Sequence, residues 1–316
     1  MTRRLFFFIM GLLFSVVTWG QESSSVFNFL SLPTSAHSMA LGGRNISTIE
    51  DDASLIFQNP AQMANVSSNS INLNFMTYMR GSKTGSAAFV RAQGERGTWG
   101  VTTQFVGYGK MKETLETGEV IGDMRALDMA LCGMYCYNLN DRWVGGATGK
   151  FIYSKLAGYS SIGLAVDLGL NYYDEDHYLS IGAVARNLGG QLKAYDDDFE
   201  RLPLDIQLGI SKRLASSPLR FSATLVRLND WEYGIGKHLV IGADILLSDQ
   251  FYVAVGYNPL RASEMKITAN DGEESNHGAA LSFGAGMKLN RLQLHLAYGK
   301  YHVSSTSLMI NFAYIL

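Results

Sequence analysis

From about residue 70 onward the chain alternates apolar and polar side chains at every second position, in segments of 10 to 14 residues separated by short clusters of Gly, Asp, Asn, Arg and Ser. Period two over that length predicts β-strands with two unlike faces. Ile162, Leu164, Val166, Leu168, Leu170 and Tyr172 share one face of such a segment; Gly163, Ala165, Asp167, Gly169 and Asn171 share the other. Leu281, Phe283, Ala285, Met287 and Leu289 likewise oppose Ser282, Gly284, Gly286 and Lys288. Divided at its turn signals, the chain yields strands near 70–79, 84–93, 97–109, 124–139, 142–155, 161–173 and 178–188. Seven more follow, near 203–213, 219–229, 237–248, 251–262, 279–290, 292–301 and 305–316. The total is 14, an even number.

The connections alternate in length. Even-numbered strands end in tight turns, among them Gly94, Glu95 and Arg96, then Asn140 and Asp141, residues 174–177, Asp249 and Gln250, and the Asn290 to Arg291 junction. Several odd-numbered strands run instead into long polar stretches near 110–123, 189–202, 230–236 and 263–278. Short turns on one rim and long loops on the other mark outer-membrane barrels. Aromatic side chains favour the two bilayer interfaces. Tyr135, Tyr137, Trp143, Tyr172, Tyr173, Tyr178, Phe251 and Tyr252 flank the short turns, and Tyr78, Tyr108, Tyr153, Tyr257, Tyr298 and Tyr301 lie toward the opposite ends. Two girdles are therefore expected. All five Pro avoid strand interiors, where the missing N–H would break a ladder. The expectation is an all-β, 14-stranded antiparallel transmembrane barrel over residues 70–316. Its competitor, a soluble secreted β-sandwich, shares the period but predicts neither aromatic belt nor alternating connections.

The first 69 residues break the rhythm. Arg3 and Arg4 precede a 13-residue uncharged run over residues 5–17, interrupted only by Gly11 and Ser15, with small or polar residues at Thr18 and Gly20. That is a signal-peptide pattern over residues 1–20, too short to cross a bilayer as a helix. Residues 21–69 hold a candidate strand at Val26 to Leu30, small residues ending in Gly42 and Gly43, and one or two helical turns broken at Pro60. So long an irregular stretch is unusual in a compact chain. It is expected to plug the lumen, because Gly163, Gly169, Gly182, Gly209, Gly242, Gly256, Gly284 and Gly286 fall on the polar faces and permit close backbone approach.

Charge and chemistry narrow the function classes. The formal net charge is −2, and loss of Arg3 and Arg4 makes it more negative. With no basic block, a nucleic-acid partner is not expected. Asp128, Lys150, Asp167, Arg186, Asp244 and Lys288 all project to the polar face, and pairing across the lumen or with the plug is the expected reading, ahead of an ion path. Residues 145–150 fall one residue short of a phosphate-binding loop and are followed by Phe151 within a strand, so no phosphate site follows. The six His are scattered; His295 is expected to face the lumen as a satisfied interior residue, not a base. Cys132 and Cys136 lie about 13 Å apart on one extended strand, too far for a disulfide. No catalytic, cofactor or metal site is expected. The acidic stretches Asp196, Asp197, Asp198, Phe199, Glu200 and Asp271, Gly272, Glu273, Glu274 sit on the long-loop rim. Solvated loop charge is the plain reading, and contact with lipopolysaccharide or a surface protein the functional one.

Gln58, Asn59, Pro60 and Ala61, preceded by Asp51, Asp52, Ala53 and Ser54 and lying ahead of the first strand, resemble the Asn-Pro-Ala element of FadL-like barrels. Residues 27–36, then Ala40, Leu41, Gly42 and Gly43, then Asp51 and Asp52, then Asn59, Pro60 and Ala61 look more closely like the PorQ-like barrels of the Bacteroidetes type IX secretion system. The likeness is most specific over residues 26–64. It implies a non-enzymatic outer-membrane anchor that holds PorZ, with PorU and PorV in one complex that cuts secreted cargo and joins it to lipopolysaccharide. The alternative implied by the FadL-like group is transport of hydrophobic small molecules. The inward faces, made of Gly, Ser, Thr, Asn and charge, give no continuous apolar track and lean toward the anchor.

Overall fold

The computed structural model describes residues 25–79, 81–114, 117, 119–230, 234–268, 274–275 and 278–316. The expected signal peptide at residues 1–20 lies outside the described residues. One wall of the molecule is built from β1 (Ser70–Thr77), β2 (Lys83–Gln93), β3 (Gly97–Thr114), β4 (Val120–Asn138), β5 (Trp143–Leu156), β6 (Tyr159–Asp174) and β7 (Leu179–Lys193). The other comprises β8 (Asp205–Arg213), β9 (Leu219–Leu225), β10 (Leu239–Leu246), β11 (Phe251–Tyr257), β14 (Leu281–Leu289), β15 (Leu292–His302) and β16 (Ser305–Ile315). Two-residue strands β12 (Ile267–Thr268) and β13 (Glu274–Ser275) pair only with each other. The fourteen long strands form a closed antiparallel barrel, sealed by a β1–β16 ladder running from Ser70 opposite Ile315 to Met76 opposite Met309. Closure leaves no unpaired sheet edge.

Burial alternates residue by residue. In β11, Phe251, Val253, Val255 and Tyr257 point outward and Tyr252, Ala254 and Gly256 inward. Outward-facing Leu73, Leu131, Leu168, Ile210, Phe283 and Phe312 are each at least 41% exposed, an apolar jacket suited to lipid and not to water. The fourteen strand positions expected from periodicity all exist, and their ends differ in instructive ways. β3 and β4 continue through the expected 110–123 loop, to Thr114 and from Val120. Lys110 and Asp123, 3.7 Å apart and both well exposed, place that extension in water. β7 likewise runs to Lys193, inside the expected 189–202 loop. β9 stops at Leu225 and β11 at Tyr257, short of the expected 229 and 262. Pro259 explains the second: lacking an N–H, it opens the helix Pro259–Glu264 instead, with the Asn258 side chain accepting from Arg261 N. The result is a lopsided wall, with strands of 14 to 19 residues from β3 to β7 and of 7 to 9 residues from β8 to β11.

Residues 25–69 run through the lumen and touch both sides of it. Val26 N donates to Arg201 O at the long-loop rim. The helix Ala36–Ala40 packs on β11, β14 and β15, and the 3-10 helix Pro60–Asn65 packs on β4, β5 and β6 across the barrel. Met39, Leu41, Ile46, Leu55, Ile56 and Met63 are fully buried there, so this short segment supplies much of the apolar interior that the polar wall lacks. The expected strand at Val26 to Leu30 is a 3-10 turn, Asn28–Ser31.

The aromatic expectation needs correcting. Tyr135, Tyr137, Trp143, Tyr178, Phe251, Tyr257 and Tyr298 point outward, but Tyr252 is buried. Tyr78, Tyr108 and Tyr301 pack inward as well, against the luminal segment. Strand parity decides this: Tyr252 lies between two outward residues and must face in.

Candidate functional site

The contact between the luminal segment and the wall holds most of the polar residues singled out by sequence. Gly42 and Gly43 have φ of 99° and 86°, values that favour glycine, and they end the helix Ala36–Ala40 as Gly43 N donates to Ser38 O. The turn presents backbone to the wall: Asn258 Nδ2 donates to Gly42 O at 2.9 Å, and Ser282 Oγ donates to Ala40 O at 3.0 Å. Asn59 caps the next turn, its Oδ1 accepting from Ala61 N at 3.0 Å, and its amide donates to Ile46 O at 3.0 Å. Pro60 at the first helical position has no N–H to leave unsatisfied. Gly169 receives this turn; a Cβ there would sit 2.1 Å from Asn59 Oδ1. The motif residues Asn59, Pro60, Ala61, Gly42 and Gly43 are thus seats, two turns each pressed against wall glycines.

The six inward charges do not form one network. Lys150 Nζ pairs with Asp167 Oδ2 at 2.6 Å and donates to Asn187 Oδ1 at 2.8 Å. Asn187 is held at φ 60° in a β6–β7 bulge where Asp167 drops out of the ladder and accepts from Asn187 N. Lys288 reaches Asp51 of the luminal segment at 3.3 Å. Asp244 takes Arg220 Nε at 2.7 Å and His37 Nε2 at 2.8 Å, with Arg220 also bridging to Glu50 at 2.6 Å. Burial alone would raise the Glu50 carboxyl, but the Arg220 guanidinium and His37 hold it below its ordinary value. The expectation of charge pairing needs correcting at two positions. Asp128 is bonded by Tyr108 and Ser154, which are neutral, and among the described residues Arg186 reaches Gln58 Oε1 and Leu30 O, at 3.4 and 3.5 Å.

Sequence reading gave Arg220, Glu50 and His37 no site role, and named Asp52 only within the motif of the resemblance. Arg220 opens a strand after Pro218, where a basic residue reads as rim charge, and the other three lie in a segment without periodicity. His295 faces inward as expected, yet only its Nδ1 is bonded, to Tyr252 Oη at 2.6 Å. His37 stacks on Tyr252 with ring centroids 4.2 Å apart.

On the rim, Asp196, Asp197, Asp198 and Glu200 are exposed, and Phe199 is 66% exposed among them. Asp271 and Glu273 lie outside the described residues, and Glu274 falls in β13. A cleft of ≈140 Å³ opens near this rim between Leu32, Gly43, Arg44, Asp205, Arg227 and Glu264. Deeper, the space bounded by Leu30, Gln104, Lys150, Asp167 and Arg186 is ≈20 Å³. Cys132 and Cys136 are free and buried on the inward face.

No family model and no curated protein matches this chain. Solved structures do match in fold. The CymD monoaromatic hydrocarbon channel superposes with a TM-score of 0.57 at 14% identity, covering 92% of this chain and 97% of that one. The Pseudomonas putida toluene transporter TodX gives 0.57 at 13% identity, covering 92% and 98%. A Pseudomonas aeruginosa FadL homologue gives 0.53 at 12%, covering 89% and 98%. The fold is that of the FadL-like outer-membrane barrels.

Proposed function

We propose that this chain is a sealed outer-membrane barrel serving as an anchor and not as a conduit, with its long loops extracellular. The observation behind this reading is the filled lumen. Between Lys150, Asp167 and Arg186 there is room for about one water, and the ≈140 Å³ rim cleft falls just short of the ~150 Å³ apolar cavity that holds benzene, while being lined with charge. The tall β3–β7 side raises a ridge above the short strands, and Phe199 stands exposed among four acids beside it. An exposed aromatic inside a charged rim is the kind of feature that anchors a protein partner. In its finer form, which rests on the resemblance over residues 26–64, the partner is PorZ, held together with PorU and PorV in a type IX secretion complex that attaches cargo to lipopolysaccharide.

The second reading is passage of hydrophobic small molecules. The structural neighbours weigh toward this reading more than toward secretion, since those named are hydrocarbon channels and a FadL homologue. The outer wall also carries a ≈500 Å³ apolar groove lined by Ile210, Phe221, Ile241, Val255, Tyr257 and Leu281, where such a compound could rest on the lipid side. The lumen geometry weighs the other way, because Leu41 and Gly42 back the groove floor at Gly242 and Gly256.

Two measurements on the same preparation separate the readings. Barrel purified from outer membranes in mild detergent is analysed for co-purifying protein, then reconstituted in liposomes for toluene uptake. An anchor brings PorZ and PorU with it and shows no saturable uptake. Recovery of the barrel alone, with saturable uptake, overturns the proposal in favour of transport.

A further inference from the structure

We propose that His37, Asp52 and His295 form a divalent transition-metal site that clasps the luminal segment to β15. The three residues offer one ligand atom each, all within 4.8 Å of one another, and all three residues are buried. In each, one polar atom is left without a hydrogen-bond partner: His37 Nδ1, Asp52 Oδ2 and His295 Nε2. Buried polar atoms are usually paired, so an unpartnered atom on each of three neighbouring residues points to a shared occupant.

The opposite atom of each residue is already pinned. His37 Nε2 faces Asp244 Oδ1 at 2.8 Å, and Asp244 is itself held by Arg220 at 2.7 Å. His295 Nδ1 meets Tyr252 Oη at 2.6 Å, and Asp52 Oδ1 accepts from Ser54 N at 2.8 Å. Packing reinforces the arrangement: a Cβ on Gly286 would fall 2.1 Å from Tyr252 and 2.7 Å from His295, so glycine there gives both rings their places. A carboxylate can only accept, which puts a proton on His37 Nε2 and leaves Nδ1 as the nitrogen a metal ion would take, displacing any proton there. Carboxylate-to-histidine-to-metal relays are the usual outer support of metal-binding imidazoles.

The chemistry of the orphans points to a cation. When His295 Nδ1–H donates to Tyr252 Oη and His37 Nδ1 carries no proton, the three unpartnered atoms are all acceptors. A water molecule has two hydrogens and satisfies only two of them; a divalent ion satisfies all three and takes a water as its fourth ligand. Two imidazole nitrogens and one carboxylate oxygen suit Zn²⁺ and its first-row neighbours rather than Ca²⁺ or Mg²⁺. Ligands at about 2.0–2.1 Å from Zn²⁺ lie ~3.4 Å apart in a tetrahedron, so about an ångström of side-chain adjustment closes the site. His37 and Asp52 belong to the luminal segment and His295 to the wall, so the ion ties one to the other.

The test uses the full barrel in detergent, stripped with chelator and titrated with Zn²⁺ by calorimetry. The wild type is expected to bind one ion per chain, with X-ray absorption showing two imidazoles and otherwise oxygen. Asp52→Asn, close to isosteric, and His295→Ala should each weaken binding at least tenfold, while His177→Ala, in an exposed turn, leaves it unchanged. Tyr252→Phe, which removes only the support of His295, should fall between. Heat-modifiable migration on gels verifies that each variant is folded, and Asp52→Asn carries the test where His295→Ala does not fold. Failure of the folded wild type to take up stoichiometric Zn²⁺, or binding unchanged in Asp52→Asn, overturns the proposal and leaves an ordinary hydrated pocket.

Discussion

Gly256 of β11 lies flat against Gly42 of the luminal segment: a Cβ on Gly256 would stand 2.0 Å from the Gly42 nitrogen. Wall backbone and segment backbone meet there with no side chain between them, a separation that only glycine on the wall permits.

Gly256→Ala should therefore displace the segment while leaving the barrel closed, since the neighbouring ladders do not involve that face. Overpacking of a fitted interior costs ~1–3 kcal/mol. The expected outcome is a lower unfolding midpoint in urea and faster proteolytic cleavage within residues 25–69. A variant as stable and as protease-resistant as the wild type would show that this contact yields easily.

Lys150 is 7% exposed at its side chain and Asp167 4%, so their ion pair sits away from water. Removing one partner strands the other charge. Lys150→Met is expected to destabilise by ~3–5 kcal/mol, and Lys150→Met combined with Asp167→Leu to recover much of that loss. Denaturant unfolding of the two variants beside the wild type checks it; a double variant worse than the single contradicts it.

Asn59 satisfies Ala61 N with its oxygen and Ile46 O with its amide. Asn59→Ala loses both, and a lost cap of this kind costs ~1–2 kcal/mol. The segment should exchange amide hydrogens faster around residues 59–63 while the barrel strands keep their protection. Uniform loss of protection would mean that the barrel depends on this turn.

Cys132 is 6% exposed and Cys136 1%, both on the inward face. Neither should react with a maleimide in the folded barrel, and both should react after heat denaturation in detergent. Labelling of the native protein would mean that the luminal segment leaves this wall open.

Removal of residues 195–200 takes out Phe199 and the acids around it but spares Lys193 of β7 and Arg201, which accepts from Val26 N. The shortened barrel is expected to remain heat-modifiable and to retain less of any surface partner on purification. Equal recovery of the partner would move the docking face to another loop.

Alternation along the chain was enough to place fourteen strands, their outward faces and the turn rim, because side-chain direction in a strand follows from parity alone and lipid demands an apolar outside. Parity even held the fate of Tyr252, whose neighbours Phe251 and Val253 point out, although its position by a short turn suggested a girdle. Strand ends were less legible: β3 and β4 outrun the apolar jacket because hairpin pairing continues in water without needing apolar residues, and β11 ends early because Pro259 offers no donor.

What the sequence by itself determined was therefore the wall. Only the closed tertiary structure decided what meets inside it. His37, Asp52 and His295 come from an aperiodic segment and from the next-to-last strand, and no spacing links them. Arg220 and Glu50 find each other the same way. Local patterning reports which side of a strand faces inward, but contacts across a lumen depend on barrel closure and on where glycines such as Gly256 and Gly169 let the segment settle, and these are relations between residues far apart in the chain.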